Sequence, residues 1–407
     1  MTEHKILRLG HHGDGIAQGP LFAPMTLPGE TVSGEVEGQQ LRDIRIITPS
    51  EQRVAPPCRH FKSCGGCQLQ HAADDFVAEW KVDVVRNALS AHGIETDFRP
   101  IQTSPAQSRR RATFAARRTK KGAMAGFHGR ASDVLIEVPG CQLVDPDLLP
   151  GLKVAEALAL IGTSRKAELA VTVTLSEEGL DVAASKGKPL DGPLRQQLAH
   201  TCEQLALARL TWDGEVIAMR APPAQRFGTA RVTPPPGAFL QATGHGEAAL
   251  LAAVTEAVGD AEFVIDLFAG AGTFSLPLAE RSRVHAVEGD AEMVKALELG
   301  WRNASGLKPV TAATRDLFRR PLLPDELAKA GAVVLDPPRA GAEAQVAEII
   351  RAQVPRVAYV SCNPVSFARD VQSLVAAGYS LDWVQVVDQF RWSSHVELAA
   401  CLTAPET

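Results

Sequence analysis

"FVIDLFAGAGTFSLPLAERSRVHAVE", residues 263–288, reads as a strand, a glycine-bearing turn, a helical stretch and a second strand. Further along, "VTAATRD", "AVVLD" and "RVAYVS" are apolar runs of the same kind, each leading into a loop and most into a helical stretch. "LDWVQVVDQF" and "HVELAACL" follow as closing strands. Strand–helix alternation of this kind predicts a doubly wound, mostly parallel α/β sheet. Ligands of such a sheet bind outside the carboxyl ends of its strands. Asp266, Glu288, Asp316, Asp336 and Cys362 stand at those ends and are expected to line one crevice.

Within the first turn, Gly270 and Gly272 allow a sharp bend and a close approach of backbone to ligand. A dinucleotide fingerprint calls for a third glycine at 275, where Ser275 stands. Glu288 ends the second strand, placed to accept hydrogen bonds from ribose hydroxyls. The pattern suits an adenosine-bearing cofactor without a pyrophosphate better than a dinucleotide. In "VVLDPPRAG" (333–341), two prolines after Asp336 stiffen the chain and remove two backbone donors. The acceptors left there suit a planar, donor-bearing base. Cys362, in "SCNPVSFARD" (361–370), sits where a strand turns into a helix rather than inside the apolar run before it.

The chain of 407 residues carries a net charge of −5, with 45% apolar and 22% charged residues, the composition of an ordinary globular protein of two or three domains. No apolar run reaches the roughly 18 residues of a membrane span. "MTEHKILRLG" lacks the pattern of a signal peptide. A cytoplasmic monomer with no membrane partner is expected, and seven cysteines there argue for metal ligation or catalysis rather than disulfides. Cys58, Cys64 and Cys67 form C-x5-C-G-G-C, with Cys141 far downstream; four thiolates suit structural zinc or an iron–sulfur cluster. Cys202 and Cys401 are assigned to packing. "RRRATFAARRTKKG" (109–122) is basic with Phe114 inside it, a solvated face by default, or a surface for phosphates and a splayed base.

Three parts emerge. Residues 1–53 are Gly-rich with short β-like runs and predict a small β-barrel. Residues 54–230 are mixed α+β, with a helix over "FVAEWKVDVVRNALSAHG" and a hairpin over "AELAVTVTLSEEGLDVAAS". After the proline-rich joint "VTPPPGAF", residues 231–407 form the α/β unit.

"DLFAGAGTFSLPLA", "LDPPRAG", "SCNPVSFARD" and "HVELAACL", in this order, resemble the RNA uracil-C5 methyltransferase family that uses S-adenosylmethionine. The first part resembles that family's TRAM domain, an RNA-binding barrel, and "CRHFKSCGGCQLQH" its iron–sulfur segment. The likeness implies a Rossmann-like class I methyltransferase domain, a 4Fe-4S cluster on Cys58, Cys64, Cys67 and Cys141, and the branch acting on 23S ribosomal RNA. Transfer RNA is the alternative substrate. It further implies Cys362 as nucleophile and Glu397 as general base. Gln241 would lie near cofactor and uracil, Asp336 on the imide edge of the base, and Phe268, Gly270, Gly272, Thr273, Glu288 and Asp316 around the cofactor. Leu240 stands where a second aromatic is common, and the glycine loop is rich in Ala; neither removes a functional group.

The chemistry asks for a cysteine. Carbon 5 of uracil is a poor nucleophile until a thiolate adds to carbon 6 and turns the ring into an enolate. A base must then remove the carbon-5 proton so that the thiol can leave. Two other classes compete. An NAD-dependent oxidoreductase is opposed by the missing third glycine and by Cys362; a non-catalytic RNA-binding protein is opposed by the pair Cys362 and Glu397.

Overall fold

The computed structural model describes residues 2–405. The apolar runs that follow the proline joint form five parallel strands, in the spatial order Val310–Thr314, Arg283–Glu288, Phe263–Leu267, Ala332–Leu335, Arg356–Ser361. Glu397–Thr403 adds antiparallel to the last of these, and Ser380–Asp388 antiparallel to it in turn. The chain winds outward from Phe263–Leu267 on one side and returns to Ala332–Leu335 on the other. That reversal opens a crevice at the carboxyl ends.

Alternate side chains along each strand serve opposite faces, which is why these strands read as continuous apolar runs. Ile265, Leu267, Val333 and Tyr359 share one core with Val346, Ile349, Phe367 and Val371 of the helices Glu343–Ala352 and Pro364–Ala376. Val264, Val334 and Val360 share the other with Leu250 and Val254 of the helix Gly244–Val258 and Leu297 of the helix Ala291–Asn303. The expected doubly wound, mostly parallel architecture is present.

Thr2–Leu9, Gly15–Ala17, Leu21–Ala23, Gln40–Thr48 and Thr31–Glu37 close into a barrel at the N-terminus. The middle stretch builds a seven-stranded sheet around the hairpin Glu168–Ser176 and Gly179–Ser185, covered by the helices Pro150–Gly162 and Gly192–Gln204. Two elements of the stretch 54–230 join the C-terminal sheet and its core. The strand Phe98–Thr103 pairs parallel with Ser380–Asp388 as the eighth strand of the C-terminal sheet. The helix Asp74–Ser90 buries Val85 and Leu89 in the same core. Its Lys81, fully buried, pairs with Asp388 at 2.6 Å and donates to the Phe390 carbonyl at 3.2 Å. Local periodicity marks this helix correctly but carries no information about which sheet it covers. Among the described residues, no helix is long and apolar enough to cross a membrane.

Candidate active site

A cavity of about 630 Å³ opens at the carboxyl ends of the parallel strands. Its walls include Phe268, Gly270 and Thr273 of the glycine turn, then Glu288, Asp336, Cys362, Gln241 and Glu397. Eight residues expected at the site from the sequence thus share one cavity.

The turn holds its shape by backbone bonds and one carboxylate. Phe268 adopts a left-handed φ of 64°, and its N–H donates to the Val287 carbonyl at 2.9 Å. A non-glycine residue held in this region is strained, and such strain gathers at functional sites. Gly270 donates its N–H to Glu288 Oε2 at 2.9 Å, while Asp290 donates to Glu288 Oε1 at 2.9 Å. Glu288 therefore braces the turn with both oxygens and offers only its remaining lone pairs to a ligand. A Cβ at Gly270 would meet nothing within 4 Å, so the backbone is open to the cavity there. Gly272 serves packing: its φ is +97°, and a Cβ would lie 3.0 Å from Leu276 and Leu297. It does not line the cavity. Ser275, at the third-glycine position, donates to Asp266 Oδ2 at 2.5 Å. Asp266 is fully buried and does not reach the cavity wall; its Oδ1 has no partner, and burial pushes its carboxyl up to about 7.

Asp316 behaves differently from the expectation placed on it. It is exposed, lies off the cavity, and its Oδ1 accepts from the N–H groups of Phe318 and Arg319 at 3.0 and 3.3 Å. Two residues beyond the end of Val310–Thr314, it caps a turn of its own. A short polar side chain just past a strand is the residue type that makes such turns.

The reactive end of the cavity follows from the "SCNP" turn. Asn363 caps the helix Pro364–Ala376 by accepting from Val365 N–H at 3.1 Å, and Pro364 occupies the first helical position, where no donor is needed. Cys362 is left between strand end and helix start, half-buried on the cavity wall. Its thiol is pushed up to about 11 by burial, then by Glu397 and Asp336, with Arg339 opposing. Glu397 opens the strand Glu397–Thr403, and its carboxyl is pushed up to about 8 by burial and Asp336. Asp336 keeps some access to water; desolvation, Asp266 and Glu288 push it up to about 7. Three acids this close cannot all be charged without a cation. The guanidinium at hand is Arg339, which bonds His395 Nδ1 at 2.8 Å.

Several residues on these walls escaped the sequence reading. Phe239, 63% exposed, stands at the mouth as an aromatic face. Arg109 and Phe390 complete that side, the guanidinium 5.9 Å from the ring centroid. Behind the wall, buried Gln389 donates to both Gln241 Oε1 and Glu397 Oε2, at 2.6 and 3.2 Å. An exposed aromatic beside "PPPG" was the one signal available for Phe239. Gln389 had none, since a polar residue at a strand end is ordinarily solvated.

Cys58, Cys64, Cys67 and Cys141 are free thiols, buried in the core of the middle sheet. Gly66 N–H donates to Cys64 Sγ at 3.3 Å and Leu143 N–H to Cys141 Sγ at 3.5 Å. Burial pushes Cys67 up to about 12 and raises Cys64 and Cys141, each further raised by neighbouring thiols. Arg130 and Arg109 lie close enough to act on these sulfurs, and among the described residues neither forms an ion pair with a carboxylate. The donor chemistry fits an anionic cluster. Among the described residues, no group of three or more His, Cys, Asp or Glu is placed to hold a metal ion, and this bears on a cluster as much as on zinc.

The basic run corrects one expectation. It forms the strand Arg111–Arg118, and Phe114 is fully buried in the middle core, so it cannot stack a base. Strand alternation turns it inward. Arg110 and Arg117 are paired with Glu247 and Glu168, which leaves Arg118, Lys120 and Lys121 exposed.

Residues 307–404, which hold Asp336, Cys362 and Glu397, match the family model described as tRNA (Uracil-5-)-methyltransferase. An RNA methyltransferase of Brucella suis biovar 1 (strain 1330) is 42% identical over 401 residues, spanning 98% of this chain and 97% of the relative. The 23S rRNA (uracil(1939)-C(5))-methyltransferase of Halomonas elongata is 33% identical over 448 residues, spanning 99% of this chain and 89% of its own. The chain belongs to the S-adenosylmethionine-dependent RNA uracil-C5 methyltransferases. Among solved structures, the tRNA (uracil-54, C5)-methyltransferase of Pyrococcus abyssi, in complex with S-adenosyl-L-homocysteine, shares the fold. Its TM-score is 0.76 at 21% identity, covering 98% of this chain and 99% of that one. The oxidoreductase and non-catalytic readings fall with this membership. The methyltransferase's cavity also suits its cofactor: the backbone is open at Gly270, and buried acids face a space where a sulfonium can be charge-matched.

Proposed function

We propose that the methyltransferase converts one or more uridines of a structured RNA to 5-methyluridine, with Cys362 as nucleophile and Glu397 as general base. The observation that carries this reading is their shared cavity with Asp336 at the carboxyl ends of the strands. S-adenosylmethionine supplies the methyl group as a sulfonium electrophile. The Cys362 thiol loses its proton to solvent at the open cavity, the thiolate adds to carbon 6, and the π pair moves into the ring as an enolate. Asp336, titrating near 7, accepts from the imide N–H or donates to the neighbouring carbonyl. Gln241 and Glu288 orient base and ribose, and Phe239 receives the flipped uracil at the mouth. Carbon 5 takes the methyl group, the electron pair of the broken sulfur–carbon bond staying on the departing neutral thioether, S-adenosylhomocysteine. Glu397 then removes the carbon-5 proton, the sulfur–carbon bond breaks, and the thiolate leaves. A cationic cofactor beside Asp336 and Glu397 favours their ionised forms, which readies Glu397 for that proton.

The barrel (1–53) and the middle stretch (54–230) serve RNA binding in this reading, with residues 231–407 as the catalytic unit of a cytoplasmic enzyme. The four buried thiols hold a structural 4Fe-4S cluster, supported by the guanidinia of Arg109 and Arg130 near them. As to RNA class, transfer RNA is favoured by the description of the matching family model and by a tRNA enzyme sharing the fold along nearly the whole chain. The 23S ribosomal RNA of the first expectation is favoured by the Halomonas relative. Mapping 5-methyluridine by mass spectrometry in both RNA classes, from a deletion strain with and without the restored gene, decides between them. A site lost on deletion and regained on restoration identifies the class; no change in either class contradicts the proposed activity.

A further inference from the structure

Gln389 lies in the turn that follows Ser380–Asp388, buried at 2% exposure behind the cavity wall. Every polar atom of its amide is used. Ala242 N–H donates to Gln389 Oε1 at 2.7 Å, which fixes which end of the amide is oxygen. The two hydrogens on Nε2 then point to Gln241 Oε1 at 2.6 Å and Glu397 Oε2 at 3.2 Å. Gln241, with its oxygen engaged from behind, is left with its N–H₂ group as the end free to donate into the cavity.

The surroundings hold this amide still. Gly246 lies so close that a Cβ there would stand 2.6 Å from Gln389 Cβ. Next door, Asp388 Oδ1 accepts from Phe390 N–H at 3.1 Å and from the buried Lys81 ammonium at 2.6 Å. A side chain held on all sides, with no access to solvent, is suited to orient its partners rather than to touch substrate.

We propose that Gln389 is the positioning residue of the elimination step: one amide keeps Glu397 ionisable and turns the donor end of Gln241 toward the uracil. The inference rests on the reading of Glu397 as the base. The groups acting on Glu397 are Asp336 from the end of Ala332–Leu335, two strands away, which opposes its ionisation, Arg339, which favours it, and the Cys362 thiol, which shares the cavity. His395, on the same wall, is bonded to Arg339. Burial holds Glu397 up to about 8, and the Gln389 hydrogen bond is a force opposing that rise. A base works only when ionised, so the elimination rate climbs as pH rises through the Glu397 value. Without the amide donor the carboxyl keeps its proton to higher pH, and the climb moves upward.

Gln389→Met keeps the volume and removes the donors. With a target RNA, the release of preformed methylated RNA–protein adduct is followed in single turnovers from pH 6 to 10. A hydrogen bond to a charged acceptor moves an ionisation by roughly one pH unit. The rising limb should therefore move up by about that much, release at neutral pH should slow about tenfold, and high pH should restore it. Should Gln389→Met fail to fold, Gln389→Glu, equal in size, tests the same point. Its added acid should move the limb at least as far in the same direction. An unmoved limb in a folded variant overturns the proposal. Parallel measurement on Glu397→Gln separates the two claims: if that variant stalls as an adduct while the limb of the Gln389 variants stays put, only the role of Gln389 falls.

Discussion

Asp336 and Glu397 in the cavity, and Cys64, Cys67 and Cys141 in the middle core, are all pushed toward their neutral forms by burial. Their surroundings differ in the sign of what is missing. The acids front an open space of about 630 Å³ in which acidic groups outnumber the guanidinium of Arg339. A cation that enters and leaves can change their protonation there. The thiols lie in the middle core with Arg109 and Arg130 near them, cations whose charge favours the thiolate forms. Arg109 also lines the cavity and stands between the two regions. One region is built for charge that turns over, and the other for charge that stays.

The contrast can be broken most forcefully at the thiols. Anaerobically purified protein should be brown and carry about four irons per chain. Cys67→Ser should lose that colour and lower the melting temperature by about 5 °C or more, whereas Cys362→Ala, half-buried beside open space, should leave it nearly unchanged. Colourless protein with stoichiometric zinc, or equal melting temperatures in the two variants, would collapse the distinction.

A smaller effect sharpens the cavity side. Glu288→Ala removes the proposed ribose acceptor and also the brace on Gly270 and Asp290. Loss of charge-assisted hydrogen bonds costs about 1.5–3 kcal/mol, roughly ten- to a hundredfold in affinity for S-adenosylmethionine. The double duty puts the expected loss toward the upper end. Unchanged binding by calorimetry would remove Glu288 from the cofactor site.

How legible the molecule was depends on the range of the interaction. The parallel strands and the residues at their ends could be read because a fully buried strand is an apolar run whatever its partners are. Cys362 could be read because Asn363 and Pro364 declare a helix start one residue later. Asp316 misled because a strand-end carboxylate serves equally well as ligand or turn cap, and only the backbone path chooses. Phe114 misled because charge around it hid the alternation that turns it inward. The helix Asp74–Ser90 was plain as a helix, but its docking rests on Lys81 meeting Asp388 more than 300 residues away. Gln389 was invisible for the same reason: two of its three partners, Gln241 and Ala242, come from a segment 147 to 148 residues away.

The central claim is that Cys362 and Glu397 act on successive steps at one uridine, and trapping the covalent adduct tests it most directly. Labelled target RNA is incubated with S-adenosylmethionine and resolved on denaturing gels. Cys362→Ala should form no adduct and transfer no methyl group. Glu397→Gln keeps the nucleophile and should accumulate a methylated RNA–protein band, as should the unaltered enzyme on 5-fluorouridine RNA, because fluorine cannot leave as a cation. Normal turnover by Glu397→Gln without any adduct, or an adduct formed by Cys362→Ala, would contradict the assignment.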